Sequence, residues 1–426
     1  MADTTIKSIS ARQILDCRAR PMLEVDVFTK GGAIGRASAP TGTSVGTYES
    51  FILRDGDPCE YNGLSVHKAV NAVQKVIAPA LIGMDVLDQK AVDQRMIELD
   101  GTPNKQRLGG NSIYSVSSAC LRAAAASQGV PLYRYLAGGP LKVLPLPTFN
   151  VINGGTNAGV TQAFNEFMIV PYRAACLEEV VLIAVTIYQK LESVVTRYCK
   201  GTAPVLGRSY GWSAPSNDPE VVLKLLEQAT EECGFSDKVA YALDCASSEM
   251  YDSATRTYEL KGRRVGADEL IDFARELTEQ FNLLFIEDLL DENDWDGFVK
   301  AHQVLKRTLL IGDDFIVTKK ERLKKAYECK AVDGFILKPN QVGSITEALG
   351  TYRFAVERGL LAIPSGRAGG TVGDIVADLS LGLQCPISKN GAPKSGERLD
   401  KINTLLRASS DNPGSKLHNI DHLIRF

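Results

Sequence analysis

Short apolar runs alternate with helical stretches through the second half of the chain. The runs cover residues 239–244, 283–288, 308–314, 333–338, 360–365 and 385–389. Continuous apolar strands that lie between helices are typical of parallel strands buried on both faces of a sheet. A series of this many β/α units favours a closed barrel over an open, doubly wound sheet.

The first part of the chain has a different pattern, which predicts a short sheet followed by helices. Residues 22–29 and 33–39 alternate in polarity around a Lys-Gly-Gly turn, which predicts a hairpin. A loop rich in Gly, Ser and Thr follows at 40–50. Helical periodicity then covers 64–81 and the Ala-rich stretch 112–129.

The length of the chain indicates more than one hydrophobic core. A chain of 426 residues is long for a single core, so we expect two domains. Gly and Pro are concentrated in residues 137–150, which predicts the passage between the domains.

Charge and hydropathy exclude several classes of partner. A formal net charge of -3 gives no reason to expect binding to nucleic acid or to a membrane surface. No apolar run approaches the ~20 residues that span a bilayer, and the N-terminal residues MADTTIKSIS contain no apolar signal core. We therefore expect a cytoplasmic protein.

The scarcity of paired cysteines and of histidines limits the chemistry available to the chain. The nine cysteines stand singly, without a CxxC pair, and so predict neither a zinc site nor a disulfide framework. Two of the four histidines lie close to the C-terminus, which disfavours a histidine-based metal site. Catalysis by this chain has to depend on carboxylates and lysines.

Each apolar run in the second half ends on polar residues. In chain order these are Asp244, Glu287 with Asp288, Asp313 with Asp314, Lys338, Ser365 with Arg367, and Lys389. The C-terminal ends of barrel strands open on one face, so we expect these side chains to converge. One acidic residue after a strand is usually a helix N-cap, but capping alone does not explain three acidic ends followed by a lysine.

Three facing carboxylates repel one another in a low-dielectric pocket unless a cation lies between them. Oxygen ligands without histidine or thiolate suit a hard ion, Mg²⁺ first and Mn²⁺ second. Burial and a nearby metal ion lower the pKa of a lysine, so that it acts as a base at neutral pH. This apparatus suits abstraction of a proton alpha to a carboxylate, with the enolate stabilised electrostatically.

Ordered motifs along nearly the whole chain resemble the enolase (phosphopyruvate hydratase) family. They comprise residues 9–27, 44–57, 96–105, 149–155 and 165–171, and later LDCASSEMY, FIEDLLDENDW, IGDDFIVT, ILKPNQVGSITEAL and NGAPKSGERLDKIN. The resemblance implies an α/β fold class with an enolase-type (β/α)8-like barrel at 139–426. An N-terminal α+β capping domain is expected at 1–138.

The resemblance also implies the metal ligands and the base. Asp244, Glu287 and Asp313 match the magnesium ligands of the family, and Lys338 matches its proton-abstracting lysine. Ser44 matches a serine on a mobile loop that ligates a second magnesium ion.

Further positions match residues that contact the substrate. Lys389 matches a second catalytic lysine, which contacts the substrate carboxylate, and Glu166 matches a glutamate near the leaving hydroxyl. Ser365 and Arg367 match the phosphate-binding pair. The substrate implied is a small anionic phosphorylated or phosphonylated carboxylate, and the assembly implied is a homodimer or higher homo-oligomer.

Three departures from the family pattern surround the substrate. Asn157 replaces the histidine of a loop that closes over the phosphate, and Gly366 replaces a histidine between the phosphate-binding serine and arginine. Residues 207–215, GRSYGWSAP, contain no acidic residue where the family has its proton-donating glutamate. Ser209 or Tyr210 occupies that position, and loss of a general acid typically costs ~10²–10⁴ in rate. A protonated Glu166 is an alternative donor.

A smaller departure is Arg20 in LDCRARP, where the family has LDSRGNP near its dimer interface.

Three functions are compatible with this family resemblance and its departures. The first is a magnesium-dependent enolase-type lyase acting on a 2-phosphoglycerate-like acid. The second is a paralogue with altered chemistry, such as a carboxyphosphonoenolpyruvate synthase-like enzyme of phosphonate biosynthesis. The third is a non-catalytic homologue, which retention of the metal ligands and both lysines disfavours.

Overall fold

A computed structural model of the chain describes residues 3–42, 46–155 and 164–426. Ser44 and Asn157, two of the predicted site residues, lie outside the described residues. In the described part of the chain, no helix is long and apolar enough to cross a membrane.

The chain begins with an antiparallel sheet in the order β1-β2-β3. Its strands are β1 (Ile6–Leu15), β2 (Pro21–Thr29) and β3 (Ile34–Ser38). The predicted hairpin is confirmed, because β2 and β3 pair antiparallel. The helices that follow in the described residues are α1 (His67–Ala72), α2 (Ala78–Leu81), α3 (Gln89–Asp100), α4 (Gly110–Ser127) and α5 (Leu132–Ala137).

Helix α4 is the centre of this first unit. Most of its residues are buried, and it packs against β2 and β3. Gly35 of β3 allows the close approach, since a Cβ atom there would lie 2.0 Å from the carbonyl oxygen of Ala119. A π-helical segment, Val73–Ile77, joins α1 to α2, so the helix predicted at 64–81 is continuous from His67 to Leu81 and begins three residues later than predicted.

Over the residues that the structure describes, the second unit is a barrel of eight strands in the order β15-β14-β13-β12-β8-β6-β5-β16. A parallel bridge between Ser365 and Lys389 joins the two ends of this sheet and closes it. The barrel strands are β5 (Leu146–Asn153), β6 (Glu166–Val170), β8 (Ala240–Asp244), β12 (Leu283–Glu287), β13 (Leu309–Gly312), β14 (Gly334–Leu337), β15 (Leu361–Pro364) and β16 (Ile387–Lys389).

One barrel strand departs from the parallel arrangement. Strand β6 runs antiparallel to both of its neighbours, β5 and β8. Its first residue, Glu166, is paired with Asp244, the last residue of β8. The reversal therefore brings the start of β6 to the face on which the other strands end.

Helices alternate with the strands of this second unit. They are α6 (Leu177–Tyr198), α7 (Pro219–Glu232), α8 (Ala267–Gln280), α9 (Trp295–Val304), α10 (Lys320–Glu328), α11 (Pro339–Val342), α12 (Ile345–Val356), α13 (Val376–Gly382) and α14 (Gly396–Asp411). Smaller strands complete the fold: β4 (Val143–Leu144), β7 (Trp212–Ser213), β9 (Tyr251–Asp252), β10 (Thr257–Leu260), β11 (Arg263–Val265) and β17 (Lys416–Leu417).

The two units have separate hydrophobic cores and also share a third apolar cluster. In the shared cluster, Tyr114 and Leu121 of α4 pack with Ile345 of α12 and Leu379 of α13. The predicted α/β barrel with an N-terminal α+β unit is confirmed. The predicted boundary after residue 138 falls between α5 and β4 and stays a prediction.

Candidate active site

The predicted catalytic residues meet at one mouth of the barrel. Asp244 and Glu287 end β8 and β12, while Asp313 and Lys338 directly follow β13 and β14. A cavity at this mouth encloses about 750 Å³, including the part that is open to solvent. It is lined by Gly42, Asn165, Glu166, Ser209, Asp244, Ala246, Asp288, Asp313, Asp314, Lys338, Ser365, Gly366, Arg367, Ala368, Lys389, Asn390, Gly391, Arg398 and Lys401.

Lys389 holds three of the carboxylates together. Its Nζ donates to Glu287 Oε2 at 2.6 Å and to Asp244 Oδ2 at 3.0 Å. The same Nζ lies 3.3 Å from Glu166 Oε2. The carboxylates raise the pKa of Lys389 well above its ordinary value, although burial opposes the shift. Lys389 is therefore a cation whose charge the surrounding carboxylates compensate.

Asp313 and Lys338 form a second ion pair. Lys338 Nζ donates to Asp313 Oδ2, and Gln341 Nε2 donates to Asp313 Oδ1 at 2.9 Å. Burial lowers the pKa of Lys338, but the charge of Asp313 outweighs it and the net direction is upward. Burial likewise favours neutral Asp313, yet Lys338 and Lys389 together lower its pKa.

Three further carboxyl groups at the barrel mouth, those of Asp244, Glu287 and Asp288, have raised pKa values. Burial raises the pKa of Asp244, with Lys389 opposing, and burial together with Asp244 raises the pKa of Glu287 well above its ordinary value. Burial and the charge of Asp313 raise the pKa of Asp288 to about 8. The cluster thus holds more negative charge than its lysines compensate, and a cation would relieve this imbalance.

The donor set fits a hard divalent ion. Glu287 Oε1 is buried and has no hydrogen-bond partner among residues 3–42, 46–155 and 164–426, so it is available as a ligand. A second grouping, Asp288, Asp313 and Asp314, has carboxylate oxygens that lie within 4.8 Å of one another. Since Asp288 accepts the backbone N–H groups of Asp313 and Asp314 at 2.8 and 2.7 Å, its oxygens already have donors. Both oxygens of Asp313 also have donors, as do Asp244 Oδ2 and Glu287 Oε2. Among the described residues, the feature that favours the predicted set Asp244, Glu287 and Asp313 is therefore the unpartnered Glu287 Oε1.

Arg367 is paired with a residue that the sequence reasoning missed. Its two terminal nitrogens donate to Glu49 Oε2 at 2.9 Å and to Glu49 Oε1 at 3.0 Å. Both side chains are almost fully buried. Ser365 lies beside them, with its hydroxyl donating to the carbonyl of Gly366 at 3.1 Å. Glu49 stands in the loop TYES, and no local pattern marks it as a partner of Arg367.

The three candidate proton donors occupy different surroundings. Ser209 is buried and lines the cavity. The hydroxyl of Tyr210 donates to the carbonyl of Cys17 at 3.0 Å, and Tyr210 is not part of the cavity lining described above. Glu166 lines the cavity and accepts a hydrogen bond from Asn150 Nδ2 at 2.9 Å. The geometry therefore favours Glu166 and Ser209 over Tyr210.

Arg20, the substitution noted in LDCRARP, contacts the start of the Gly-rich loop. Its Nε donates to Asp16 Oδ2 at 2.9 Å, while its terminal nitrogens donate to the carbonyls of Gly42 at 3.1 Å and Thr41 at 3.2 Å. Gly42 also lines the cavity. Arg20 thus connects the β1–β2 turn with the edge of the candidate site.

Comparison with known proteins agrees with this geometry. Residues 6–136 match the model of the enolase N-terminal domain, and residues 141–418 match that of the enolase C-terminal TIM barrel domain. The chain belongs to the enolase family. The resemblance seen in its motifs is confirmed, as is the prediction of an enolase-superfamily carbon–oxygen lyase of the hydro-lyase type.

Relatives named enolase match over almost their full length. The chain is 41% identical to an enolase of Methanopyrus kandleri over 413 residues, which covers 96% of each chain. It is 39% identical to an enolase of Methanococcus maripaludis over 421 residues, covering 99% of each. An enolase of Methanococcus aeolicus is 39% identical over 407 residues, covering 95% of each.

Proposed function

We propose that this enolase-family chain catalyses the Mg²⁺-dependent dehydration of 2-phosphoglycerate or a closely similar phospho carboxylic acid. The observation that carries the proposal is the meeting of buried Asp244, Glu287 and Asp313 with Lys338 and Lys389 at one barrel mouth. A buried group of this kind suits removal of a proton next to a carboxylate.

Asp244, Glu287 and Asp313 would hold the metal ion. Bound there, Mg²⁺, or Mn²⁺ in its place, would supply positive charge close to the carboxylate of the substrate. The unpartnered Glu287 Oε1 in the described part of the chain supports this assignment. Ser44, proposed as a ligand of a second ion, lies outside the described residues.

Lys338 is the proposed base, and its Nζ takes the C2 proton. As long as no other cation neutralises Asp313, its ion pair with Lys338 keeps the Lys338 Nζ protonated, because the net shift of the Lys338 pKa is upward. Compensation of the Asp313 charge removes this attraction, and burial then favours the neutral amine. Proton abstraction by Lys338 therefore depends on the charge state of Asp313.

Lys389, Ser365 and Arg367 are the proposed contacts to the anionic groups of the substrate. Lys389 lies among the carboxylates and suits the carboxylate of the substrate, while Ser365 and Arg367 also line the cavity and suit its phosphoryl group. Asn157, a further predicted contact, lies outside the described residues. Glu166 is the proposed donor to the departing hydroxide, with Ser209 beside the same cavity.

A second candidate function rests on residues 207–215, which bring no carboxylate to the cavity. A paralogue of phosphonate biosynthesis that forms the enolate of a phosphonylated carboxylate without expelling hydroxide does not require a proton donor at these residues. Under either function we predict that the protein is a homodimer or higher homo-oligomer and is located in the cytoplasm.

The test is to mix the protein with Mg²⁺ and 2-phosphoglycerate and to follow phosphoenolpyruvate by its absorbance. Exchange of the C2 proton is followed in parallel by NMR in deuterated water. Lys338→Met should lower both rates by about 10²–10⁴-fold, whereas Lys324→Met, at an exposed lysine of α10, should change neither. Exchange without product would favour the phosphonate paralogue. Absence of both reactions in the wild-type protein would overturn the proposal.

A further inference from the structure

A group of buried charges lies at the start of α14, on one wall of the cavity. Glu397 Oε1 accepts from Arg398 Nε at 2.9 Å, and Glu397 Oε2 accepts from Lys401 Nζ at 2.8 Å. The side chains of Glu397 and Lys401 are each 2% exposed, and that of Arg398 is 5% exposed. Arg398 and Lys401 nevertheless line the cavity that contains the carboxylate cluster. Two cations thus share one carboxylate.

Gly366 leaves open the space in front of Lys401. A Cβ atom added at Gly366 would lie 3.4 Å from Lys401 Nζ and 3.5 Å from Lys401 Cε. A side chain at position 366 would therefore stand against the ammonium group. Because Gly366 has none, Lys401 reaches the cavity wall directly beside Ser365 and Arg367, the proposed phosphoryl-binding pair.

The balance of charge distinguishes Lys401 from Arg367. Arg367 is compensated by Glu49, with which it forms a buried bidentate pair. Glu397 compensates only one of its two cations, and these cations lower its pKa although burial opposes the shift. Asp374 is a second carboxylate that Lys401 attracts, and Arg122, which lines a different small cavity with Asp374, is itself paired with Asp378 at 3.5 Å. Lys401 therefore has two carboxylates near it, and an anion in the main cavity would share its ammonium group with Glu397.

We propose that Lys401 binds the dianionic phosphoryl group of the substrate across the gap at Gly366 and so determines specificity for a phosphorylated acid. Glu397 and Arg398 position the ammonium group, since they hold the start of α14 against the cavity. Arg398 is itself anchored to the backbone carbonyl of Ser209. The inference rests on the proposed function, because it concerns how the same site recognises its substrate.

The test measures the Kd of phosphoenolpyruvate and of inorganic phosphate by isothermal titration in the presence of Mg²⁺. Lys401→Met removes the charge at similar volume, and Gly366→Leu fills the gap from the opposite side. Gly366 has no left-handed backbone angle, so the added side chain is conformationally allowed. Each variant should weaken binding of both ligands by roughly 10- to 100-fold, the range of a charge-assisted hydrogen bond. Lys324→Met, at an exposed lysine, is the control.

Two further measurements separate binding from a structural role. The Kd of Mg²⁺ and the thermal unfolding midpoint should stay close to wild type in Gly366→Leu, even where Lys401→Met is destabilised. Folded variants that both bind phosphoenolpyruvate within twofold of wild type would overturn the inference. The wild-type protein could bind phosphoenolpyruvate but fail to exchange the C2 proton, while the variants lose this binding. That outcome would support the phosphoryl site and reject the proposed reaction. A wild-type protein that binds neither ligand would reject both.

Discussion

Among single residues, Glu166 bears most directly on the elimination step. Strand β6 is reversed, so Glu166 faces the cavity beside Asp244 and lies 3.3 Å from Lys389 Nζ. Residues 207–215 supply no acid, and the hydroxyl of Tyr210 is bonded to the Cys17 carbonyl. We therefore expect Glu166 to donate the proton to the leaving hydroxide, with Ser209 as the alternative donor on the same cavity.

Glu166→Gln should lower the rate of phosphoenolpyruvate formation by about 10²–10⁴-fold, because the amide cannot donate an acidic proton. Exchange of the C2 proton should persist, since Lys338 and the carboxylates are retained. Ser209→Ala is the matched comparison and should change dehydration less than tenfold. A larger effect of Ser209→Ala than of Glu166→Gln would move the acid to Ser209.

At the scale of elements, Asp333 ties β13, β14 and the C-terminus together. It precedes β14 and accepts the backbone N–H of Leu310 in β13 at 2.9 Å. Arg425 donates to its two oxygens at 2.7 and 3.0 Å, and His302 Nε2 lies 3.1 Å from Oδ1. Burial opposes ionisation of Asp333, but these donors outweigh it and lower its pKa.

Asp333→Asn should lower the free energy of unfolding by about 2 kcal/mol at pH 7, because charge-assisted hydrogen bonds are lost. The pKa of Asp333 is lower in the folded state than in the unfolded state. Its contribution to the free energy of unfolding is therefore fully present above the unfolded-state pKa and is lost as pH falls below about 4. Urea unfolding should thus show a smaller difference in unfolding free energy between the wild-type protein and Asp333→Asn at pH 3 than at pH 7. Asp272→Asn, at an exposed residue of α8, is the control. A difference independent of pH would contradict this account.

For the whole molecule, the pair of Glu49 and Arg367 connects the N-terminal unit with the barrel mouth. The two residues are 318 positions apart in the chain and are buried together. Lys105 and Glu347 form a second connection at 3.0 Å, where Glu347 is 33% exposed. The first connection contributes directly to the cavity, since Arg367 lines it.

Glu49→Gln should destabilise the protein by about 3–5 kcal/mol, because it removes the charge of the carboxylate that binds the buried guanidinium of Arg367 through two hydrogen bonds. Glu347→Gln should cost less, about 1 kcal/mol, since solvent screens this partly exposed pair. Chemical unfolding of both variants provides the comparison. Equal losses of unfolding free energy in the two variants would show that burial does not increase the contribution of the Glu49–Arg367 pair to stability.

Metal binding should also stabilise the whole molecule. Mg²⁺ at about 100 times its Kd should add about 2.7 kcal/mol to the free energy of unfolding. Glu287→Gln should abolish the increase, whereas Asp55→Asn should not. Asp55 belongs to a surface grouping with Glu60 and His67, so this control separates the cavity from the surface. An increase that survives Glu287→Gln but not Asp55→Asn would place the ion at the surface.

The sequence by itself determined the barrel class, the hairpin and the positions of the polar strand ends. Apolar runs bounded by charged residues are local patterns, and an uninterrupted apolar run indicates a strand that is buried on both faces. The proposed ligands and lysines at Asp244, Glu287, Asp313, Lys338 and Lys389 follow from those strand ends. Family motifs then indicated which roles these residues take.

Only the tertiary structure decided which side chains compensate one another. Periodicity does not reveal that β6 is reversed, and so it cannot place Glu166 beside Asp244. The pairing of Glu49 with Arg367 and the position of Lys401 behind Gly366 join parts of the chain that carry no mutual local signal. Charge balance at the barrel mouth depends on these long-range contacts, because electrostatic free energy is set by distance and burial rather than by order along the chain.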